Sequence, residues 1–406
     1  MSASDLASST PARSVAEITA ATTAFVRTTV LPLDDLHDGD IAAAGGDELR
    51  VRLQGAAKDA GVFAPHAPVA LGGLGLNMLD RAPVFEAAGY SLFGPVALNI
   101  QAPDEGNMHL LEKLATPPQA ERFLGPLVRG ELRSAFAMTE PSPGAGSDPS
   151  ALRTRATRVD GGWLVNGRKQ FITGADGAGF FIIMARTAGE PGDLSGATML
   201  LAAADTPGIT VVRHIATIDR ASLGGHCEVT FEDVFVPDED VLGGADEGFA
   251  YAQVRLGPAR MTHVMRWLGA ARRAHDTALT YVNEREMFGS RLGDLGMTQQ
   301  AIADSEIDLA ATRALLREAC AELDAGGRGA TSTSIAKTFA AEALGRVADR
   351  AMQMCGGLGV SAELPIARVA RELRPFRIYD GASEVHRWSI ARRALGKARR
   401  DAEAAR

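Results

Sequence analysis

The hydrophobic and polar positions divide the chain into three stretches with different periodicities. Up to about residue 134 a helical pattern is interrupted by loops, and helices are predicted over 15–30, 47–60, 110–115 and 118–124. From about 135 to 243, short runs of alternating polarity separated by turn residues predict strands. After residue 248 the pattern is helical nearly to the end, and several such helices in succession predict a bundle.

Turn sequences divide the middle stretch into strands. A strand over 152–159 leads into Asp160-Gly161-Gly162, and a short strand over 163–165 leads into Asn166-Gly167. Asn-Gly between apolar runs is a strong hairpin signal, because both residues tolerate the positive φ angles of a tight turn. We therefore expect a hairpin at each of these turns, and a further strand over 227–231.

Two long helices are predicted in the last third of the chain. The first covers 298–323, because four apolar residues recur every seven positions and share one helix face: Ile302, Leu309, Leu316 and Leu323. Gly326-Gly327 follows as a stop. Residues 331–334 supply an N-cap for the second helix, which ends before Gly356-Gly357.

Length and composition fit a folded protein of more than one domain. The chain has 406 residues, of which 46% are hydrophobic and 23% are charged, within the usual range for a globular protein. A single core stops growing well below this length. We predict an α+β protein with an N-terminal helical domain at 1–134, a middle β domain at 135–243 and a C-terminal helical bundle at 244–406.

Charge and cysteine content exclude several classes of function. The 42 basic and 50 acidic side chains give a net charge of −8, and the basic residues are scattered, so nucleic acid is not an expected partner. Cys227, Cys320 and Cys355 lie far apart without CxxC spacing, which argues against a disulfide framework or a zinc site. No apolar run is long enough to cross a bilayer, and residues 1–13 lack a secretory signal. We expect a cytoplasmic protein, with a transit peptide at the Ser-rich start as the minor alternative.

Two patterns in the middle stretch suit a flat cofactor. Residues 136–148 run from an apolar strand into a loop of Gly, Pro and hydroxyl residues, whose open backbone could hold a polar ring edge or a pyrophosphate. By itself this segment is equally an ordinary surface turn. Phe171 and Thr173 are predicted on one face of a strand, where they could form a stacking wall, although core packing explains them nearly as well.

Two patterns in the helical stretch are weaker when taken singly. Residues 353–357 have the form of a helix end with a glycine cap. Asp380 precedes Gly381 at a break between helical stretches and follows apolar residues. Its carboxylate is therefore either a solvated surface group or a partly desolvated base.

Two further patterns carry no site. Residues 357–362 match GxGxxA, but they follow a helix instead of a strand, which argues against a dinucleotide-binding fold. His263 and His275 lie twelve positions apart, which is not metal-ligand spacing. Both are interpreted as satisfied or exposed histidines, and no metal is expected.

Taken in order, these segments resemble the acyl-CoA dehydrogenase family over nearly the whole chain. The matching segments lie at 101–108, 138–148, 166–169, 231–237, 248–249, 284–289, 353–357 and 378–387. The loop over 138–148 is the strongest match and carries two residues more than the commonest form of its motif. Segments 225–228 and 255–260, with Asp380, are most similar to family members ten and eleven.

The resemblance implies a helical domain, a β domain and a C-terminal four-helix bundle, with FAD held between the β domain, the bundle and a neighbouring subunit. The implied FAD contacts are Met138, Thr139 and Ser147 along the isoalloxazine, Phe171 and Thr173 on its other side, Arg285 and Phe288 with the neighbour's Gln353, Gly356 and Gly357 at the pyrophosphate and adenosine, and Gly381 and Ser383 beside the base. Ser147 and Arg260 are the implied substrate contacts. We expect a homodimer or homotetramer.

The resemblance also implies a reaction, the FAD-dependent α,β-dehydrogenation of an acyl-CoA, as in fatty-acid β-oxidation. Asp380 would take the α-proton, flavin N5 would accept the β-hydride, and an electron-transferring flavoprotein would take the electrons. A thioester α-proton is too weakly acidic for a carboxylate in water, so such a site must hydrogen-bond the developing enolate oxygen and exclude water from the base. The flavin ribose hydroxyl and the Asp380 N–H are the implied donors.

The sequence departs from the family pattern at several positions. These are Asp380 where most members have Glu, Ala382 where they have Thr, Phe171 where many have Trp, and Gly296 where many have Gln. Ala259 occupies the position of an alternative base used by some relatives, so it offers no second carboxylate. The alternatives are an oxidase or hydroxylase on the same fold, similar to nitroalkane oxidase with its Asp base, and a cofactor-poor partner subunit.

Overall fold

A computed structural model describes residues 13–406; residues 1–12, where the predicted N-terminal domain begins, lie outside the described residues. The described part starts with helices α1 Val15–Phe25, α2 Leu31–Leu36, α3 Gly46–Asp59, α4 Met78–Gly89, α5 Gly94–Ala97, α6 Asp104–Leu114, α7 Pro117–Gln119 and α8 Gly125–Val128. Between them lie π-helical turns at Val26–Val30 and Ala120–Leu124 and a 3₁₀ turn at Val69–Leu71. The helices predicted over 15–30, 47–60 and 118–124 are confirmed, the first and last with a π-helical turn included.

The helix predicted over 110–115 is wrong in its start, because α6 begins at Asp104. Its first turns carry polar residues that a sequence pattern assigns to a loop, yet Asp104 is only 1% exposed and Asn107 is fully buried. The Asp104 carboxylate accepts hydrogen bonds from the N–H and the hydroxyl of Ser134, at 2.7 and 2.6 Å. Asn107 Nδ2 donates to the same hydroxyl at 2.9 Å. Partners far away in sequence thus make these polar residues part of the core.

The middle of the chain forms one eight-stranded sheet. Its strands are β1 Ser134–Ala137, β2 Arg155–Val159, β3 Gly162–Thr173, β4 Phe180–Arg186, β5 Ala197–Ala203, β6 Ile209–His214, β7 His226–Pro237 and β8 Val241–Leu242, with 3₁₀ turns at Pro149–Ala151 and Asp238–Asp240. The spatial order is β6-β7-β3-β2-β4-β5-β8, and β1 pairs in parallel with β4. β2 and β3 form the hairpin predicted at Asp160-Gly161-Gly162, and β7 contains the strand predicted over 227–231.

The hairpin predicted at Asn166-Gly167 is wrong. β3 continues through both residues and pairs with β7 on either side of them, with a register shift that marks a β-bulge. The Asn166 side chain pairs with Asp233 instead of closing a turn, since Nδ2 donates to Asp233 Oδ1 and Oδ1 accepts from the Asp233 N–H, both at 2.9 Å. A Cβ at Gly167 would lie 2.4 Å from Thr154 Oγ1, so this glycine permits a close strand approach.

The rest of the chain is helical apart from a small hairpin. Its elements are α9 Gly248–Glu284, the hairpin strands β9 Glu286–Met287 and β10 Ser290–Arg291, α10 Gly296–Asp324, α11 Ser332–Gly359, α12 Ile366–Leu373 and α13 Ser383–Ala404, with 3₁₀ turns at Leu292–Asp294 and Arg374–Arg377. The helix predicted over 298–323 is confirmed as α10, and Leu309 and Leu316 are buried. α11 leaves helical geometry at Gly356 (φ 56°, ψ −133°), as predicted, but a further turn reaches Gly359.

The core joins the two helical regions to one face of the sheet. Side chains of the N-terminal helices, of β4 and β5, and of α9 to α12 form one large buried cluster, and a second cluster lies within the sheet. α9 packs on α4 through backbone contact, because a Cβ at Gly269 would lie 2.1 Å from Glu86 O and one at Gly89 would lie 2.0 Å from Arg266 O. This contact fixes the segment of α9 that carries the site described below.

The order of helices, sheet and helices confirms the predicted α+β class. Of the helices formed by residues 13–406, none combines the length and the apolar character needed to span a membrane. The domain boundaries at 134/135 and 243/244 stay predictions.

Candidate active site

Asp380 lies in a sharp turn between α12 and α13. Its backbone φ is 53°, and that of Gly381 is 95°. The left-handed region is unusual for a residue with a Cβ, but Asp enters it more readily than most. At Gly381 a Cβ would lie 2.7 Å from His386 Nε2, so the turn requires glycine there on both conformational and steric grounds.

Three basic side chains hold the carbonyl groups of this turn. Arg260 of α9 donates from Nε to Asp380 O at 2.9 Å, and His386 of α13 donates from Nε2 to the same oxygen at 3.1 Å. Lys337 of α11 donates from Nζ to Gly381 O at 2.6 Å. Lys337 is fully buried, and this burial lowers its pKa to about 8. Hydrogen bonds from three helices therefore fix the backbone on which the Asp380 side chain is mounted.

The Asp380 carboxylate is largely withdrawn from solvent, with its side chain 18% exposed. Its Oδ2 lies 3.4 Å from Nε2 of His263, a buried residue of α9. The His263 ring packs against Tyr379 and Phe376, at centroid distances of 4.8 and 6.0 Å. Burial, and next the guanidinium of Arg266, hold the pKa of His263 well below its usual value. The neighbour of the carboxylate is consequently a neutral imidazole.

Asp380 has a second functional group, its backbone N–H. Within residues 13–406 no hydrogen-bond acceptor pairs with this N–H. Positive charge is concentrated nearby, where Arg255 is 6% exposed and donates from Nε to Asn107 Oδ1 at 2.8 Å. The guanidinium of Arg255 lies 4.2 Å from the centroid of the Phe136 ring. One residue thus offers a proton acceptor and a free donor in a cationic environment.

A buried ion pair anchors the loop that follows β1. The Glu140 carboxylate accepts from Lys169 Nζ at 2.9 Å and from three backbone N–H groups at 2.7, 2.8 and 3.2 Å. Lys169 is fully buried, also donates to Met138 O at 3.1 Å, and has its pKa lowered by burial to about 8. The Gln170 N–H donates to Thr139 O at 2.9 Å. These bonds hold Met138 and Thr139 beside β3.

β3 departs from regular geometry at Phe171, which has a φ of 54° and is 49% exposed. A second register shift of β3 against β7 spans this residue, so the strict alternation assumed for Phe171 and Thr173 does not hold. Thr173 Oγ1 lies 2.9 Å from His226 Nδ1, and His226 Nε2 lies 2.6 Å from Asp219 Oδ2. The Thr173 hydroxyl is therefore oriented by a chain of two side chains behind it.

The sequence-predicted residues fall into three groups in the structure. Arg260, Gly381 and Ser383 cluster around Asp380, and Met138, Thr139, Phe171 and Thr173 lie around the loop after β1, where Ser147 is exposed. The third group lies on the outside of the bundle, where Phe288 is 93% exposed and Arg285, Gln353, Gly356 and Gly357 are exposed as well. Within the described residues, no hydrogen bond or ion pair joins this third group to the other two.

Sequence reasoning missed three residues of the Asp380 cluster: His263, Lys337 and His386. A signal existed for Lys337, since it is a charged residue on a helix face whose other members, such as Ala340 and Leu344, are apolar. A buried lysine needs a partner, which pattern alone does not identify.

Family models describe nearly the whole of this arrangement. The N-terminal, middle and C-terminal domains of acyl-CoA dehydrogenase match residues 15–131, 135–234 and 246–395. The chain belongs to the acyl-CoA dehydrogenase family. The predicted resemblance is confirmed, and membership makes the chain an oxidoreductase of acyl-CoA thioesters.

Two curated acyl-CoA dehydrogenases illustrate the relationship. The probable acyl-CoA dehydrogenase FadE2 of Mycobacterium tuberculosis is 40% identical over 328 residues, which cover 80% of each chain. Acyl-CoA dehydrogenase family member 10 of Mus musculus is 36% identical over 328 residues, or 80% of this chain but 31% of that protein. The predicted similarity to family members ten and eleven is confirmed, although this chain spans only about a third of member 10.

Solved structures agree with the family assignment. Butyryl-CoA dehydrogenase from Megasphaera elsdenii superposes with a TM-score of 0.83 at 28% identity, covering 94% of this chain and 98% of that one. The FAD complex of PigA superposes with a TM-score of 0.82 at 26% identity, covering 94% and 97%.

The residues around the loop after β1 fit the flavin that acyl-CoA dehydrogenases use. A flavin is a flat ring with a polar edge, and needs an apolar wall together with unpaired donors. Phe171 supplies an exposed ring at a kink in β3. The N–H groups of Gly146 and Ser147 have no acceptor among the described residues. Both features lie beside the anchored backbone of Thr139, so this chain can hold such a group.

Proposed function

We propose that this chain removes the α and β hydrogens of an acyl-CoA thioester, with FAD as its cofactor and Asp380 as its base. The observation that carries the proposal is the Asp380 turn. It combines a largely buried carboxylate with a backbone N–H that has no acceptor among the described residues. Arg260, His386 and Lys337 fix the turn through its carbonyl groups.

In the proposed reaction, the Asp380 carboxylate takes the proton from the α-carbon. The Asp380 N–H donates to the thioester oxygen, where negative charge develops as that proton leaves. The buried cations Arg255, Arg266 and Lys337 favour this charge, since a low-dielectric site strengthens their attraction. Bound FAD supplies the acceptor for the hydride that leaves the β-carbon. The product is the trans-2-enoyl-CoA, and the two electrons pass on to an electron-transferring flavoprotein.

The proposed FAD contacts are those implied by the resemblance. They are Met138, Thr139, Ser147, Phe171 and Thr173 for the ring, Gly381 and Ser383 beside the base, and Arg285, Phe288, Gln353, Gly356 and Gly357 for the pyrophosphate and adenosine. Support comes from the exposed Phe171 ring and from the FAD complex of the similar PigA structure. Ser147 and Arg260 are the proposed substrate contacts.

The setting of the reaction is also a proposal. We infer a cytoplasmic homodimer or homotetramer acting in fatty-acid β-oxidation, with domains at 1–134, 135–243 and 244–406. Symmetric assembly is the common rule for soluble enzymes. The exposed third group of FAD contacts supports it, because no hydrogen bond or ion pair within residues 13–406 joins these residues to the other two groups.

The test is anaerobic titration of the purified protein with a panel of acyl-CoAs, following the loss of flavin absorbance. We expect about one non-covalent FAD per chain and bleaching by at least one member of the panel. Asp380→Asn should keep its FAD and lower the rate of flavin reduction by about 10² to 10⁴, the usual cost of losing a positioned base. A rate within a factor of about three of the parent would mean that another residue is the base.

Two controls separate this function from its alternatives. Glu384→Gln removes an exposed carboxylate four residues further on and should leave the rate unchanged. Mixing the reduced enzyme with oxygen distinguishes a dehydrogenase, whose flavin reoxidises slowly, from an oxidase. A protein that stays colourless after incubation with excess FAD would contradict the proposal.

A further inference from the structure

A chain of side chains runs from α9 to the Asp380 carboxylate. The Arg266 guanidinium lies 2.9 Å from Nδ1 of His263, and His263 Nε2 lies 3.4 Å from Oδ2 of Asp380. A guanidinium only donates hydrogen bonds. Nδ1 of His263 must therefore be the acceptor, and the single proton of the neutral imidazole lies on Nε2, the nitrogen that is 3.4 Å from Asp380 Oδ2.

The partners of this imidazole are themselves held in place. Arg266 also donates to Ile100 O, which ties its guanidinium to the N-terminal helical region. The Tyr379 hydroxyl accepts from Trp267 Nε1 at 2.6 Å and lies 3.4 Å from His263 Nδ1, so its own proton is free to point at the same nitrogen. Two donors at Nδ1 favour the Nε2–H tautomer over the alternative.

We propose that His263 is a positioning residue, whose Nε2–H holds the Asp380 carboxylate in one orientation and favours its ionised, proton-accepting form. This inference rests on the proposed role of Asp380 as the base. The terminal torsion of an Asp side chain has a broad energy minimum, so a fixed backbone alone does not orient the carboxylate oxygens. A donor at one oxygen leaves the other directed at the substrate. The distance of 3.4 Å is long for a hydrogen bond, as is common before substrate closes a site.

Burial and the charged groups around His263 favour its neutral form. Those that face the imidazole or the carboxylate are Arg255, Arg260 and Arg266 on α9, Lys337 on α11, Tyr379 and Asp380 in the turn, His386 on α13, and Glu105 on α6 behind Arg266. Burial, and then the cations Arg266, Arg255 and Lys337, hold the pKa of His263 well below its usual value. Protonation of Nδ1 would place an N–H donor against the Arg266 guanidinium and remove its acceptor, so neutrality and the Nε2–H tautomer are coupled.

The kinetic test compares His263→Phe with His263→Gln in the flavin-loaded enzyme. Phe keeps an aromatic ring against Tyr379 and Phe376 but has no donor, whereas Gln keeps an N–H. We expect His263→Phe to lower the single-turnover rate of flavin reduction at pH 7 by about 10- to 100-fold, as a small misplacement of a base does. The acidic limb of its rate profile should move up by about half to one pH unit, because a donor to the carboxylate is lost. His263→Gln should recover most of both changes.

Several outcomes would overturn this role while leaving the proposed function in place. One is an acidic limb of the pH–rate profile that is the same in His263→Phe as in the parent. If, in addition, both variants lose the same amount of rate, the residue is merely structural. His275→Gln, on the same helix but bonded to Glu306, controls for histidine loss and should behave as the parent. If Asp380→Asn reduces its flavin at the parental rate, the proposed base fails whatever His263 does.

A spectroscopic test on the parent enzyme needs only one folded variant, and only for assignment. In the flavin-loaded parent with ¹⁵N-labelled histidines, the His263 resonances are identified by their absence from His263→Gln or, if that variant does not fold, from His263→Phe. We expect the chemical shifts of a neutral imidazole with its proton on Nε2 between pH 5.5 and 8, without titration. Shifts of the Nδ1–H tautomer, or of an imidazolium in this range, would overturn the proposal.

Discussion

At the scale of the residue, the position of Asp380 depends on backbone geometry as much as on its side chain. Its φ of 53° costs of order 1 kcal/mol or more for a residue with a Cβ. Hydrogen bonds from Arg260 and His386 to its carbonyl group, and from Lys337 to that of Gly381, offset this cost. The carboxylate is thereby attached to a backbone whose carbonyl groups are held by side chains of three helices.

Because the backbone of the turn is held in place, we expect Asp380→Glu to slow flavin reduction, even though Glu is the residue that most of the family carries. The extra methylene moves the carboxylate by about 1.5 Å. It would lose its contact with His263 Nε2, now 3.4 Å away, and intrude on the substrate. Single-turnover flavin reduction with the best acyl-CoA of the panel should fall about 10²-fold, with the FAD content unchanged. A parental rate would show that the position of the carboxylate is not fixed by this turn.

The residue scale also marks the limit of reading the chain alone. Asp380 and Arg260 could be proposed together because segments around both resemble a known family, and the structure brings them together. No pattern identifies the partner of His263 or of Lys337, because each partner lies more than 40 residues further along the chain. Periodicity identifies which face of a helix is buried but not which distant backbone group meets a polar residue on that face.

At the scale of the element, local turn chemistry and sheet pairing compete within β3. Asn166-Gly167 would close a tight hairpin in isolation. Here β7 supplies a paired strand on both sides of the dipeptide, and the side chain of Asn166 is engaged by Asp233. The pairing of nine residues of β3 with β7 outweighs one turn preference, so the dipeptide stays within the strand, opposite a bulge whose extra residue lies in β7. The Asp160-Gly161-Gly162 turn was predictable because no such competing partner opposes it.

The loop after β1 depends on the buried pair of Glu140 and Lys169. We expect Lys169→Met to lower the free energy of unfolding by about 3 to 5 kcal/mol, because it leaves the Glu140 carboxylate buried without its counter-ion. Adding Glu140→Gln should recover part of this loss, since the uncompensated charge is then removed. The measurement is chemical denaturation of all variants at pH 7. Arg158→Met, which breaks an exposed pair with Asp238, is the control and should change the free energy of unfolding far less.

The contact between α12 and the segment before β7 should depend on pH through Glu372. This carboxyl is 2% exposed, accepts from the N–H groups of Arg220 and Ala221 at 2.7 and 3.2 Å, and has its pKa raised by burial to about 7. A carboxyl whose pKa is higher in the folded state stabilises the fold fully below pH 4.5, its usual pKa. That contribution is lost as the pH rises through 7.

Glu372→Gln should therefore flatten the dependence of stability on pH between 4.5 and 7. The parent should lose on the order of 1 to 3 kcal/mol across this window from Glu372 alone, at about 1.4 kcal/mol per pH unit of pKa shift. Urea midpoints measured at pH 5, 6, 7 and 8 for both proteins test this, and the difference should move in favour of the variant as the pH rises. Glu363→Gln, an exposed neighbour, should keep the parental slope. Parallel curves for Glu372→Gln and the parent would mean that the carboxyl does not titrate in this window.

At the scale of the whole molecule, the three proposed parts of the cofactor site differ in how far buried contacts within the chain order them. The Asp380 turn and the loop after β1 are each ordered by a buried lysine, Lys337 in the turn and Lys169 in the loop. The third part, from Arg285 and Phe288 to the end of α11, is exposed on the bundle, where Phe288 alone leaves 93% of its surface uncovered. The family resemblance implies that Gln353, Gly356 and Gly357 of one chain meet the cofactor of its neighbour, which would cover this part.

We therefore expect FAD binding and assembly to be coupled. The enzyme should sediment as a dimer or tetramer at assay concentration, and dilution below the dissociation constant should release FAD together with subunits. Gln353→Ala should weaken FAD retention while leaving the Asp380 turn intact, so flavin reduction in molecules that keep their cofactor should proceed at the parental rate. Sedimentation followed at the flavin absorbance and at 280 nm measures both species in one run. A stable monomer that carries FAD and reduces it with acyl-CoA would contradict the coupling. A single chain would then form the whole cofactor site without residues from a neighbouring chain.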